Sequence, residues 1–219
     1  MPDVYAKVTE APAQILTGLM AALELRAADP QQRAMVEAYL TDAALPGGAK
    51  VLEVGCGTGA ITRTLAAWPG VAGAVGVDPS PVFLARARGL ARGLATVSFA
   101  EGDGRSLPFA AGTFDAVVFH TTLCHVPRPE IAVHEAVRAL RPAGRLIVFD
   151  GDYATATVAT RPGDPLDACV DGFRDHFVHD PWLVRRLPAP RGSCCRAGST
   201  SGRTRSWRPD ASAPTRPRR

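Results

Sequence analysis

The chain has 219 residues, 46% hydrophobic and 21% charged, a balance that excludes an intrinsically disordered protein and suits one domain with an appendage. Its net charge is +4, but residues 185–219 hold ten arginines and one acid and carry +9, which leaves −5 for the remainder. The basic charge therefore belongs to the tail, and the acidic body argues against nucleic acid as a partner.

Two features favour a cytoplasmic protein with no membrane partner. The longest early apolar run, residues 15–23, is nine residues long, and no basic segment precedes it as in a signal peptide. A membrane-spanning helix needs about 20 residues. The five cysteines are odd in number and lack the paired spacing of a metal site or a disulfide framework. We therefore expect a reducing compartment and no bound metal.

The first 45 residues are predicted to be helical. The segment from Pro12 to Arg26 carries one apolar stripe at spacings of three and four, formed by Ile15, Leu16, Leu19, Met20 and Leu23. A second helix is predicted to begin at Asp29 and Pro30, because an aspartate cap followed by proline is a helix-start signal. It is predicted to end before Pro46.

From Pro46 onward, short apolar strands alternate with helices. The predicted strands are Val51–Val54, Gly73–Val77, Val97–Ala100, Phe114–His120 and Leu146–Phe149. The predicted helices are Ala60–Trp68, Pro81–Leu90, Pro129–Leu140 and residues 166–187. Strands that are apolar at every position are typical of a parallel sheet covered on both faces. We therefore predict an α/β fold with a doubly wound, mostly parallel sheet, Rossmann-like, preceded by N-terminal helices.

A glycine-rich loop follows the first predicted strand. Gly55, Gly57 and Gly59 open the next helix, where glycine lets the backbone turn sharply and lie close to a ligand. Together with Ala60 the stretch also fits the dinucleotide fingerprint G-x-G-x-x-A. A nicotinamide cofactor is therefore an alternative at this point.

An aspartate follows at the end of the second predicted strand. Asp78 lies 19 residues after Gly59, and a carboxylate at such a position can accept hydrogen bonds from both ribose hydroxyls of an adenosine ligand. The alternative is a cap for the following helix, a role that Ser80 can take instead. Ribose binding alone does not separate NAD from other adenosine cofactors.

Three further sequence motifs narrow the choice between NAD and other adenosine cofactors. Residues 101–109, 113–119 and 140–148 follow the glycine loop in a fixed order. Together with Glu53–Gly59 they resemble the class I S-adenosylmethionine-dependent methyltransferases, and most closely the small-molecule branch of ubiquinone/menaquinone-biosynthesis methyltransferases. The resemblance covers about residues 48–150.

The resemblance implies an enzyme that uses S-adenosyl-L-methionine to methylate a small-molecule acceptor. It places the glycine loop beside the methionine and ribose of the cofactor, the end of the second strand at the ribose and adenine, and residues 102–104 at the adenine ring. His120 would line the methionine end, near the methyl group. The implied cofactor-binding residues are Glu53, Gly55, Gly57, Gly59, Asp78, Pro79, Ser80, Gly102, Asp103, Gly104 and His120.

Two histidines flank the loop that this family turns towards its substrate. Either His120 or His125 is a candidate general base for a hydroxyl or an acidic carbon, and the alternative for each is a packed or hydrogen-bonded structural histidine. The sequence leaves open the acceptor, whether an oxygen, carbon or nitrogen atom is methylated, and the oligomeric state.

The tail has a different composition from the body. Residues 189–219 contain no Val, Ile, Leu, Met or Phe, so a disordered basic tail is predicted, either natural or produced by a shifted reading frame. The predicted organisation is a helical segment over residues 1–45, a cofactor-binding domain over residues 46–188, and this tail.

The composition of the tail also bears on the sheet. The family's sheet ends in an antiparallel strand pair, which is predicted to be missing here. An NAD(P)-dependent oxidoreductase on a Rossmann domain and an inactive, truncated methyltransferase that still binds cofactor are the alternatives to an active methyltransferase.

Overall fold

The computed structural model describes residues 3–176 and 178–187, and the backbone of residues 202–207. The helices are α1 (Ala13–Ala28), α2 (Pro30–Ala43), α3 (Ala60–Ala67), α4 (Pro81–Leu90), α5 (Pro129–Ala139), α6 (Leu166–His176) and α7 (Leu183–Arg186). The strands are β1 (Ala49–Val54), β2 (Val71–Asp78), β3 (Val97–Glu101), β4 (Phe114–His120), β5 (Leu140–Gly151) and β6 (Gly202–Trp207). The predicted bounds of α4 and β4 are confirmed.

The strands form one sheet in the order β3-β2-β1-β4-β5-β6. The first five strands in this order are parallel, and only β6 is antiparallel. From β1 the chain first builds outward to β3 and then returns to place β4 on the other side of β1. The sheet is therefore doubly wound, as predicted, and its topological switch point lies between β1 and β4, where such folds bind ligands.

Helices cover both faces of the sheet. On one face, Val36 and Leu40 of α2 pack with Val51 of β1 and Ile147 of β5. On the other face, α5 packs through small residues, including Ala136, which is fully buried. Burial on both faces explains why the strands are apolar at successive positions instead of alternating.

Two N-terminal predictions have different outcomes. The predicted start of α2 is confirmed, because the Asp29 side chain accepts a hydrogen bond from the backbone N–H of Gln32 at 2.9 Å, with proline in the first turn. The apolar stripe of α1 is only partly buried: Leu16 is buried, whereas Ile15 is 41% exposed. Within the described residues, every helix is too short or too polar to cross a membrane.

The prediction of one helix over residues 166–187 is wrong. The segment contains α6 and the short α7, and between them Asp180 donates its backbone N–H to the carbonyl of Cys124. Pro181 has no N–H to continue a helix, and the Asp180 side chain accepts from the N–H of Trp182 and so starts a new turn.

The tail also departs from the prediction in one place. Gly202–Trp207 pairs antiparallel with β5 over six residues, from Leu146 to Gly151. The expectation of a tail without strand structure is therefore wrong for these six residues, because the open edge of β5 offers backbone donors and acceptors to any extended chain. The prediction of a disordered tail for residues 189–201 and 208–219 lies outside the described residues.

Candidate active site

A cavity of about 540 Å³ lies at the carboxyl ends of β1, β2 and β4, at the switch point of the sheet. The N-terminal segment and α1 form part of its wall through Tyr5, Val8, Leu23 and Arg26. The predicted site residues that line it are Glu53, Gly55, Gly57, Asp78, Pro79, Gly102, Asp103, Gly104, His120 and His125. Gly59 and Ser80 do not line it.

The glycine loop has backbone angles that side chains resist. Gly55, Gly57 and Gly59 have φ values of +74°, +53° and +73°, all in the left-handed region. A Cβ on Gly59 would lie 2.5 Å from the ring of Phe99, and one on Gly55 would collide with the side chain of Thr122. Packing inside the protein is therefore a second reason for glycine at these positions, besides approach to a ligand.

Asp78 connects the end of β2 to the glycine loop. Its Oδ2 accepts a hydrogen bond from the N–H of Gly57 and its Oδ1 accepts one from the N–H of Ser80, each at 2.9 Å. Burial raises the pKa of this carboxyl to about 6, against the two N–H groups, which lower it. Ser80 caps α4 by accepting from the N–H of Phe83, so the helix cap does not need Asp78. Asp78 itself lines the cavity.

Glu53 is buried beneath the loop. Its Oε2 accepts a short hydrogen bond from the hydroxyl of Thr62 in α3. Burial raises its pKa to about 8, while Thr62 opposes the shift. The side chain is therefore mostly protonated near neutral pH, and it contacts the cavity as a neutral group.

We expect Glu53→Gln to change how stability depends on pH. Because the folded state raises the pKa of Glu53, this carboxyl contributes stability below its ordinary pKa of 4.5 and loses that contribution as the pH rises through about 8. Relative to wild type, the variant should gain on the order of 5 kcal/mol between these limits, measured by urea unfolding at several pH values. Glu101→Gln, at an exposed carboxyl, is the matched control. A stability difference between Glu53→Gln and wild type that is constant with pH would contradict the assignment.

Asp103 is more exposed than Glu53 and Asp78, the other two acidic residues predicted to bind the cofactor. Both its carboxylate oxygens accept from the guanidinium of Arg105, and Oδ1 also accepts from the backbone N–H of Arg105 at 2.8 Å. These bonds lower the pKa of Asp103. The carboxylate is therefore ionised and hydrogen-bonded to Arg105. A bond from adenine to Asp103, as predicted, would have to form alongside these bonds.

His120 is the last residue of β4, and its buried side chain lines the cavity. Its Nδ1 lies 3.2 Å from the hydroxyl of Tyr39, and its ring stacks on Phe149 with centroids 4.8 Å apart. Burial lowers its pKa to about 3, and the charge of Arg26 adds to this shift. The imidazole is therefore neutral and weakly basic, which disfavours the general-base role that the sequence allowed.

His125 lies in a better setting for proton transfer. Its Nδ1 is 2.7 Å from Oδ2 of Asp3, and its ring lies 4.7 Å from that of Tyr5, centroid to centroid. Of the two histidines predicted as candidate bases, this one has a carboxylate partner. In the described part of the chain, no group of three or more His, Cys, Asp or Glu side chains is placed to hold a metal ion.

Several residues that line the cavity, or that contact its histidines, were not predicted. Arg26 of α1 donates to the hydroxyl of Thr121 at 2.7 Å and brings a positive charge to the cavity. Thr121 has a φ of +51°, unusual for threonine, directly after β4. Asp3 and Tyr39 reach the site from the N-terminal segment and α2. The bonds of Arg26, Tyr39 and Asp3 span 95, 81 and 122 residues, and the local sequence carries no signal for them.

The cavity fits an adenosine-containing methyl donor. Among the described residues, the buried side-chain polar atoms without a hydrogen-bond partner are Thr58 Oγ1 and Glu24 Oε1. Thr58 belongs to the glycine loop and lines the cavity, so its hydroxyl is available to a ligand. The left-handed glycines, the carboxylate of Asp78 and this hydroxyl together form a polar cradle, and the cavity volume is typical of small-molecule sites.

The doubly wound sheet and the position of the cavity at its switch point are typical of α/β enzymes. Residues 52–148 match a protein family described as "Methyltransferase domain". A solved S-adenosylmethionine-dependent methyltransferase from Aquifex aeolicus superposes with a TM-score of 0.62 at 17% identity, over 86% of this chain and 96% of that one. The superposition shows the fold. Over residues 52–148, the family match confirms the predicted resemblance to the class I S-adenosylmethionine-dependent methyltransferases.

Two curated relatives are similar in sequence. A ubiquinone/menaquinone biosynthesis C-methyltransferase of Roseobacter denitrificans is 35% identical over 163 residues, which are 69% of this chain and 65% of that protein. A 2-phytyl-1,4-naphtoquinone methyltransferase of Thermosynechococcus vestitus is 36% identical over 141 residues, which are 64% of this chain and 57% of that protein. The chain therefore spans less than two thirds of the length of these relatives.

Proposed function

We propose that the protein transfers a methyl group from S-adenosyl-L-methionine to a small hydroxylated aromatic acceptor of the quinol type. The observation that carries the proposal is the buried carboxylate of Asp78, which lines the cavity beside the left-handed glycine loop at the switch point of a methyltransferase fold. The names of the two curated relatives support the acceptor class.

The proposed donor site follows the carboxyl ends of β1 and β2. Asp78 would accept the ribose hydroxyls, and Gly55 and Gly57 would lie along the methionine and ribose. Glu53 and Thr58 would contribute neutral polar groups at the methionine end. Residues 102–104 would surround the adenine. When bound, the donor supplies a methyl group that its sulfonium already activates for attack.

The proposed acceptor site is the cavity wall beyond His120. Its side chains are mainly apolar and aromatic: Tyr5, Val126, Pro127, Tyr153 and Phe173. A flat aromatic acceptor suits such a wall, because aromatic pairs add to the burial of apolar surface. His125 lies on the same wall, and its imidazole contacts the carboxylate of Asp3.

In the proposed mechanism, the protein positions the acceptor and removes one proton. His125 takes the proton from an acceptor hydroxyl, which leaves an aryl oxide whose negative charge is shared by the oxygen and the ring carbons. A bond then forms between the acceptor and the methyl carbon while the sulfur–methyl bond breaks, and the sulfur keeps the electron pair. If a ring carbon is methylated, the carbon also loses its proton and the hydroxyl is restored. Alignment within a water-poor cavity supplies much of the acceleration.

Calorimetry and a transfer assay test the proposal. We expect the full chain to bind S-adenosylhomocysteine and not NADH, and to methylate a short-chain 2-prenyl-1,4-naphthohydroquinone under reducing conditions. Mass spectrometry of the product shows whether oxygen or carbon has received the methyl group. Binding of NADH without S-adenosylhomocysteine would instead support the dehydrogenase alternative. Binding of S-adenosylhomocysteine without transfer to this probe would contradict the acceptor class.

A further inference from the structure

One carboxylate near the N-terminus connects three segments of the chain. Asp3 is 7% exposed, and its Oδ1 accepts from the backbone N–H of Tyr5 at 2.9 Å and of Ala6 at 3.3 Å. Its Oδ2 accepts from the backbone N–H of His179 at 2.8 Å and lies 2.7 Å from Nδ1 of His125. The N-terminal segment, the loop after β4 and the segment after α6 therefore meet at this side chain.

The neighbours of Asp3 show the carboxyl group acting as an acceptor. Three backbone N–H groups donate to its two oxygens, those of Tyr5 and Ala6 to Oδ1 and that of His179 to Oδ2. Since carboxylate oxygens accept hydrogen bonds, we assign the fourth close group, Nδ1 of His125, as a donor as well.

The contact with Asp3 fixes the tautomer of His125. If Nδ1 carries the proton, the neutral imidazole has its lone pair on Nε2, and only a nitrogen with a lone pair can accept a proton. The second bond of Oδ2, from the N–H of His179, limits how far the carboxylate can turn. Asp3 thus holds the ring of His125 in one tautomer.

We propose that Asp3 is a positioning residue that holds His125 as the base of the reaction. This inference rests on the proposed function. Asp3 belongs to the same segment as Tyr5, Ala6, Val8 and Thr9, which line the cavity. The segment that covers the donor and acceptor therefore also carries the group that prepares the base, and His125 reaches its active tautomer only when the segment is docked.

The test compares Asp3→Asn with wild type in the full chain. Asparagine keeps the size of the side chain, but its amide can donate an N–H to Nδ1 of His125. This favours the tautomer with the proton on Nε2, and Nε2 then has no lone pair with which to accept a proton from the acceptor. We expect imidazole ¹⁵N NMR to show this change of tautomer. We also expect single-turnover transfer to the naphthohydroquinone probe to fall by about 10²-fold or more, the range for loss of a general base.

Binding of S-adenosylhomocysteine separates this role from a purely structural one. Its affinity should stay within about threefold of wild type, because a positioning role acts on the chemical step and not on donor binding. Asp152→Asn is the matched control: its carboxylate binds Arg185, joins two segments near the site and does not line the cavity. It should change neither the tautomer nor the transfer rate.

The outcomes are distinguishable. An unchanged tautomer in Asp3→Asn, or an unchanged transfer rate, would overturn the assignment of Asp3. Equal losses of transfer in Asp3→Asn and Asp152→Asn would point to general destabilisation and would also overturn it. If wild type binds S-adenosylhomocysteine but does not methylate the probe, the proposed acceptor class fails, and the NMR comparison still decides whether Asp3 sets the tautomer of His125.

Discussion

Asp78→Asn is expected to weaken binding of S-adenosylhomocysteine by about 10–100-fold, the equivalent of one lost charge-assisted hydrogen bond. The carboxylate would accept ribose hydroxyls while it also accepts from the N–H groups of Gly57 and Ser80. Asparagine has one acceptor oxygen instead of two and no charge, so it cannot serve all these donors. Isothermal titration calorimetry of the full chain measures the change.

Two matched variants test whether the effect is specific. Asp103→Asn should weaken binding less, because Asp103 is exposed and shares its carboxylate with Arg105. Asp115→Asn should leave affinity unchanged: Asp115 also binds a backbone N–H, that of Lys50, but it lies at the start of β4, away from the cavity. Wild-type affinity in Asp78→Asn would remove the ribose assignment.

The pKa of Asp78 adds a second readout. Because burial raises this pKa to about 6, the carboxyl is ionised above that pH and protonated below it. Affinity for S-adenosylhomocysteine should therefore rise as the pH increases through 6 in wild type. Asp78→Asn should lack this rise.

Gly55→Ala is expected to destabilise the protein by about 2–5 kcal/mol and to abolish measurable binding of S-adenosylhomocysteine. Its φ of +74° disfavours any residue with a Cβ, and that Cβ would collide with the side chain of Thr122. Thr122 follows His120 and Thr121 at the end of β4, so relief of the clash would move the loop that carries the proposed acceptor residues. Urea unfolding and calorimetry measure the two effects.

Gly112→Ala separates backbone strain from collision. Gly112 has a φ of +65°, but a Cβ there would meet nothing within 4 Å. This variant should lose only about 1–2 kcal/mol, the cost of a left-handed alanine, and keep its affinity. Equal losses of stability in Gly55→Ala and Gly112→Ala would mean that the contact with Thr122 has no effect.

The features that the sequence predicts well are those that depend on neighbouring residues. The apolar run of β4, the glycine loop and the proline at the start of α4 each act within a few positions, and the structure has them where they were expected. Even the unusual angles of Gly55 and Gly57 follow from a local turn between strand and helix. The parallel sheet follows from the repetition of this local pattern.

The features that sequence reasoning missed depend on distant contacts. Asp3 lies in a segment with no regular apolar pattern, and Arg26 follows an apolar stripe, as exposed arginines often do. The sequence around each residue therefore does not indicate its partner, which lies about 100 residues away. The weak basicity of His120 is likewise a result of burial, and burial is a property of the folded chain. Such roles become visible only in three dimensions.

The sixth strand shows a different limit. Composition predicts whether a segment can bury apolar surface, and by that criterion residues 202–207 should not form a strand. A ladder needs only backbone donors and acceptors, and β5 presents them along six residues from Leu146 to Gly151. Whether a segment forms a strand therefore depends on the open edge of the neighbouring strand as well as on the segment's own side chains.

The long reach of Asp3 also bears on the order in which the molecule is completed during synthesis. The bond between Asp78 and Gly57 spans 21 residues and that between Glu53 and Thr62 spans nine, whereas the bond between Asp3 and His179 spans 176. Closing a long loop costs more chain entropy than closing a short one, and domains form from the N-terminus as the ribosome releases them. The residues around Glu53 and Asp78 are thus released before His179, so Asp3, although it is among the first residues made, cannot form this bond until most of the described chain has been synthesised. A nascent chain stalled between Asp78 and His179 would have the residues proposed to bind the donor, but not the bond from His179 that holds Asp3 beside the proposed base.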